Sequence, residues 1–128
     1  KAEDWVIATG ITTSIREFVR LSFEYIGIDL KFIGKGVDEK AIIHSCKNSK
    51  YNLKKGKEIL NIDPNYFRPT EVDLLVGDSS KARNKLGWKL KYDLAKLVKE
   101  MMDSDLELMQ KENYLNKGGY KVNKSFEL

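Results

Sequence analysis

Arg68 and Glu71 stand three residues apart in the run Tyr66-Phe67-Arg68-Pro69-Thr70-Glu71-Val72-Asp73-Leu74-Leu75. A guanidinium presents a planar fork of donors that matches a pyrophosphate, and a carboxylate accepts hydrogen bonds from ribose hydroxyls. Pro69 lies between them. It fixes its own φ and biases Arg68 toward an extended backbone, so the arginine has little conformational freedom left to lose on binding. This is the equipment of a sugar-nucleotide site. The spacing fits equally a surface loop on which Arg68 and Glu71 pair with each other.

Other reactive residues carry less. Cys46 is the only cysteine, so neither an intramolecular disulfide nor a thiolate metal cluster can form within one chain. His44 stands two residues before it, and two ligands do not make a zinc site, so no metal is expected. Lys47, Lys50, Lys54, Lys55 and Lys57 surround Tyr51. A nucleic-acid surface needs such lysines with an aromatic ring to stack a base, but the same residues serve a solvated hairpin or loop. The excess of 23 Lys and Arg over 19 Asp and Glu, with a pI near 9.0, reports on steering and solubility rather than on fold. No nucleic-acid partner is expected.

The elements that must position Arg68 are legible in outline. Trp5-Val6-Ile7-Ala8-Thr9, ended by Gly10, reads as a strand buried on both faces, as in a parallel sheet. Ser14 caps a helix, with Glu17 completing a capping box, and Ile15, Phe18, Val19, Ser22, Phe23 and Ile26 form its apolar stripe up to Gly27. Leu30 to Ile33 reads as a strand, followed by the turn Gly34-Lys35-Gly36. That turn lacks the third glycine and the following helix of a dinucleotide fingerprint.

Residues 41–61 look irregular and mobile, with a short strand near Glu58 to Ile62. A brief strand over Val72 to Val76 leads from the Arg68 loop to a helix capped by Asp78 or Ser79 and ended by Gly87, with Trp88 folded back on its last turn. The longest helix is expected from about Asp93 to Gln110, and the glycine-containing tail beyond Tyr114 is expected to be loosely held.

A chain of 128 residues with 41% apolar content suits one domain with a modest core. No apolar run approaches the ~18 residues of a membrane span, and the N-terminus lacks a charged-then-apolar leader. A cytoplasmic protein with no membrane partner is the expectation.

Several blocks occur in one order: Asp4-Trp5-Val6-Ile7-Ala8-Thr9-Gly10, Ser14-Ile15-Arg16-Glu17-Phe18, Gly34-Lys35-Gly36-Val37-Asp38-Glu39, Asp63 to Leu75, Ser80-Lys81-Ala82 and Leu86-Gly87-Trp88-Lys89. Together they resemble the C-terminal, substrate-binding part of the GDP-mannose 4,6-dehydratases, which are extended short-chain dehydrogenase/reductases. The resemblance covers roughly residues 3 to 110.

It implies an α/β fold, the C-terminal fragment of an extended Rossmann-type reductase. Residues 1–10 would be the last strand of the dinucleotide-binding sheet within a substrate-binding segment 1–112, followed by a flexible tail 113–128. The implied reaction turns GDP-mannose into GDP-4-keto-6-deoxymannose in an enzyme that carries NADP and often assembles as a homo-oligomer. The family's catalytic Tyr-x-x-x-Lys pair, threonine and glutamate belong to the N-terminal half, so these residues alone are expected to bind GDP-sugar and turn nothing over.

By the same resemblance Arg68 contacts the pyrophosphate and Glu71 the ribose. Arg16 is a weaker candidate, with a surface ion pair to Glu17 or Glu24 as its plainer role. Tyr51 with Lys55, Tyr92 with Lys96, and Tyr120 with Lys124 match the catalytic spacing by chance, since none sits in the required helical context. The length and lysine content of residues 41–62 leave mannose and a larger GDP-linked heptose both open. So does the kinship of such arginine-plus-acid loops across sugar-nucleotide epimerases and dehydratases.

Overall fold

The computed structural model describes residues 2–68 and 75–121. Its elements run α1 (Ile15–Tyr25), β1 (Ile28–Ile33), a single 3-10 turn (Gly36–Asp38), β2 (Lys40–Cys46), β3 (Glu58–Asn61), α2 (Ser80–Leu86) and α3 (Leu94–Lys117). The three strands form an antiparallel sheet in the order β1-β2-β3, with Ile33 opposite Lys40 and Lys40 opposite Asn61. Helix α1 packs on β1, and α3 packs on α1. The class is mixed α/β, as expected.

Helix α1 begins where Ser14 accepts the amide of Glu17 at 3.1 Å. The box is half made, because the Glu17 carboxylate takes Arg20 instead of reaching back. Gly27, at φ +79°, turns the chain directly into β1, and its amide donates to Glu24.

Strand β2 corrects the expectation of an irregular segment. Ala41 and Ile43 are buried while His44 is exposed, the alternation of a half-covered strand. Alanine and serine are weak strand formers, and the tandem Ile42-Ile43 hides the period of two. Pairing on both edges overrides that weak local preference. Strand β3 falls where the sequence places it, and β1 begins two residues earlier than expected.

Residues 5–9, expected as a strand buried on both faces, carry no strand assignment. Such a strand needs ladder neighbours on either side, and β1–β3 supply none. The segment rests instead on residues 75–83: Ser79 Oγ donates to the Ala8 carbonyl at 2.8 Å, Lys81 Nζ to that of Asp4 at 3.0 Å, and Thr12 Oγ1 to that of Leu75 at 2.9 Å. Val6 and Ile7 remain 51% and 56% exposed. Of the strand expected over residues 72–76, positions 72–74 lie outside the described residues, and Leu75 and Val76 show none.

At α2 the two capping candidates divide the work. Ser79 occupies the cap position but spends its hydroxyl on Ala8, while Asp78 Oδ1 accepts both the amide and the hydroxyl of Ser80. Those bonds hold the Asp78 carboxyl below its ordinary range. Gly87 closes the helix at φ +65°.

Helix α3 starts on Asp93, which accepts the Lys96 amide, and runs seven residues beyond the expected end, through positions assigned to the tail. Half-buried Leu108, Glu112 and Leu115 carry the helical spacing onward. The stop is the pair Gly118-Gly119, with Gly119 at φ +79°.

The described core is small: Ile28, Ala41, Ile43, Ala82 and Val98, with Ser79 as its buried polar side chain. No described helix is long and apolar enough to cross a membrane.

Candidate functional site

From β3 the chain enters a tight turn that delivers Arg68. Asp63 organises it twice, its carboxylate accepting the Asn65 amide at 2.9 Å and its carbonyl the Tyr66 amide at 3.0 Å. The Phe67 amide then reaches the Pro64 carbonyl at 3.4 Å. Such an aspartate-initiated turn is what the Asp63-Pro64-Asn65 sequence favours. Arg68 follows, exposed, at the edge of the described residues. Its proposed companion Glu71 lies outside them, as does Pro69.

The Phe67 ring approaches the β1–β2 turn, its Cζ lying 4.0 Å from where a Cβ on Gly36 would stand. That turn is itself compact. Gly34 adopts φ +85° with no room for a side chain against the Asp38 carbonyl, and the Glu39 amide bonds back to Gly36 at 3.2 Å.

Arg16 meets the same turn from the other side. Its Nε and one terminal nitrogen both reach Glu39 Oε1 at 2.7 Å, and its guanidinium carbon lies 5.7 Å from the centre of the Phe32 ring. The expected pairing with Glu17 or Glu24 is replaced by this one, because Arg20 takes both of those carboxylates. Helical spacing contained that answer, since Arg20 is three residues from Glu17 and four from Glu24, while Arg16 and Glu17 are adjacent and diverge. The structure thus links Arg16, Glu39, the Gly34–Glu39 turn and Phe67 in series, ending beside Arg68.

Neither His44 nor Cys46 joins a ligand set. The thiol of Cys46 donates to the carbonyls of Asn48 and Tyr51, and among the described residues no group of three or more His, Cys, Asp or Glu could hold a metal ion. Tyr51 and Lys55 sit in the β2–β3 loop and Tyr92 two residues before α3, so these fortuitous spacings share no helix; Tyr120 follows the end of α3, and its partner Lys124 lies outside the described residues. Tyr92 does border a cavity of about 250 Å³ with Thr9, Ile11, Thr13, Leu90 and Leu97.

Sequence reasoning missed one polar cluster. The Tyr25 hydroxyl donates to Asp103 at 2.7 Å and accepts from Lys99 at 3.1 Å, while Lys99 and Asp103 pair at 2.6 Å. The ammonium and then the phenol hold the Asp103 carboxyl below its ordinary range, and the carboxylate raises the Lys99 ammonium. These bonds make the cluster a clasp between α1 and α3. The Lys99–Asp103 spacing of four was a readable signal, whereas Tyr25 required the tertiary fold.

Residues 1–101 match the family model described as GDP-mannose 4,6 dehydratase. The chain is 49% identical over 125 residues to a GDP-mannose 4,6-dehydratase of Vibrio cholerae serotype O1, covering 97% of this chain and 34% of that protein. It is 46% identical over 108 residues to the Drosophila melanogaster GDP-mannose 4,6 dehydratase, covering 84% of this chain and 25% of the relative. With the human protein of that name it shares 44% identity over 108 residues, 84% of this chain and 27% of the relative. The chain spans about a third or less of the length of these curated relatives.

Proposed function

This chain belongs to the GDP-mannose 4,6-dehydratase family, and from that membership we propose that it is the GDP-sugar-binding part of such an enzyme. The intact protein would be a hydro-lyase that converts GDP-mannose to GDP-4-keto-6-deoxymannose for deoxysugar synthesis, in the cytoplasm and as a homo-oligomer. The observation that carries this reading is the family match across residues 1–101, which takes in the whole of the Arg68–Glu71 loop and the turn that precedes it.

Within the reading, Arg68 clasps the diphosphate and Glu71 accepts from the ribose. An exposed arginine at the end of a hydrogen-bonded turn suits that role, because a guanidinium fork can meet two phosphate oxygens. Arg16, already engaged by Glu39, remains the weaker candidate.

The described residues do not fit NADP. Their paired glycines, Gly34 and Gly36, join two antiparallel strands through a single 3-10 turn and open no α-helix toward a pyrophosphate. We assign the cofactor, and the hydride chemistry with it, to the portion of the family enzyme that these residues do not match. Exposed Val6, Ile7, Ile11 and Ile15 offer apolar surface that such a portion would cover. In the same reading, residues 5–9 complete that portion's sheet as its last strand.

Calorimetric titration of the purified chain with GDP, UDP and dTDP tests the binding role. GDP is expected to bind best, and Arg68→Ala to weaken it; equal affinity for all three would point to another sugar-nucleotide enzyme. Incubation with GDP-mannose and NADP is expected to give no ketosugar, and turnover by this chain alone would overturn the division of labour.

A further inference from the structure

We propose that Phe67 is the positioning residue for Arg68, seating its ring on the β1–β2 turn at Gly36, and that Arg16 serves the site by holding that turn through Glu39. The inference rests on the reading of Arg68 as the diphosphate ligand and adds how the arginine is aimed.

Two aromatic residues precede Arg68, and they behave differently. Tyr66 is 83% exposed and packs on little; Phe67 is 40% exposed, with its ring tip at Gly36. Phe67 is also the last residue before Arg68 whose amide is tied into the Asp63 turn. Side-chain packing and backbone bonding therefore converge on the residue immediately before the guanidinium. An arginine side chain has many rotamers, and its affinity for a diphosphate depends on how much of that freedom its attachment has already removed.

The seat for the ring is prepared from the opposite direction. Gly36 adopts φ +59° and presents no side chain, and the Phe67 ring tip lies 4.0 Å from where a Cβ would stand. The turn closes on itself through Asp38 to Lys35 and Glu39 to Gly36. Glu39 leaves the turn with its side chain only 18% exposed and receives both donors of Arg16, on the first turn of α1. Glu39 is partly buried while the Arg16 side chain is 60% exposed, so the pair adds a modest tie between turn and helix. Arg16 thus fastens the turn to the helix, and Phe67 fastens the Arg68 loop to the turn.

The test pairs a ligand-free readout with an affinity cycle on this chain. In the free protein, the heteronuclear Overhauser effect of the Arg68 amide is expected to fall in Phe67→Ala and to stay unchanged in Tyr66→Ala. GDP affinity is expected to drop about tenfold in Phe67→Ala and to recover partly in Phe67→Leu, while the Phe67→Ala, Arg68→Ala double variant is no weaker than Arg68→Ala. Additive losses, or a Phe67→Ala variant that binds GDP like the parent, would overturn the inference and leave the role of Arg68 standing. If the parent chain binds no GDP, the role of Arg68 fails by itself. The amide measurement still decides the positioning, which an unchanged signal in Phe67→Ala would sink.

Discussion

The hydroxyl of Ser79 donates to the carbonyl oxygen of Ala8 at 2.8 Å, a bond between residues 71 positions apart in the chain. Ser79 is 3% exposed, and the same oxygen accepts from Arg83 Nε at 3.1 Å. Removing it leaves the half-buried Ala8 carbonyl and an exposed Arg83 donor without this partner. Ser79→Ala is expected to lower stability by about 1 kcal/mol, the net worth of a typical hydrogen bond. Urea unfolding measures this directly, and an unshifted midpoint would show that the N-terminal segment is not held there.

Two glycines with nearly equal backbone angles should respond unequally to alanine. Gly34 and Gly56 have φ of +85° and +83°, so each substitution incurs the left-handed penalty of about 1–2 kcal/mol. At Gly56 the new methyl meets open space. At Gly34 it would run into the Asp38 carbonyl oxygen, a contact that only a moved backbone can relieve. Gly34→Ala is expected to cost at least about 1 kcal/mol more than Gly56→Ala, in the range of overpacked sites. Equal midpoints in thermal melts would contradict the compactness of the β1–β2 turn.

Acid should weaken the clasp between α1 and α3. The Lys99 ammonium, and after it the Tyr25 hydroxyl, make Asp103 more acidic folded than unfolded. A carboxyl shifted in that direction adds stability above its unfolded value near 3.8, and the addition is lost as pH falls through the lower folded value. Asp103→Asn should therefore be less stable than the parent near about pH 7, with the gap closing toward about pH 2.5. A gap that stays constant across that range would remove ionised Asp103 from the account.

Neutralising Lys50, Lys54 and Lys55 to glutamine is expected to leave GDP affinity within about twofold, because screening acts over ~8 Å at physiological salt. The loop that carries them follows the far end of β2 from the turn beneath Phe67, and seven strand residues span about 23 Å. A larger loss in the titration would bring this basic loop into the nucleotide site.

Much of this arrangement was legible in the residues themselves. Ser14 and Asp93 announce their helices by side chains that accept the amide three positions on, and Gly27 and Gly87 end theirs by adopting positive φ. Arg68 is a candidate on chemistry, as a guanidinium beside a proline. What escaped depends on partners distant in sequence: β2 is a strand because β1 and β3 flank it, and Arg16 finds Glu39 because the sheet returns under α1. Residues 5–9 carry no strand assignment here for the converse reason. Their composition asks for neighbouring strands that β1–β3 do not provide.

Helix α3 has 24 residues and α1 only 11, lengths of about 36 Å and about 16 Å at 1.5 Å per residue. The shorter helix can shield at most the half of α3 that holds Val98 and the Tyr25 clasp. Amide protons near Val98 should therefore resist deuterium longest, and those from Lys111 to Lys117 should be replaced first, so that one continuous helix records a graded opening from its far end inward.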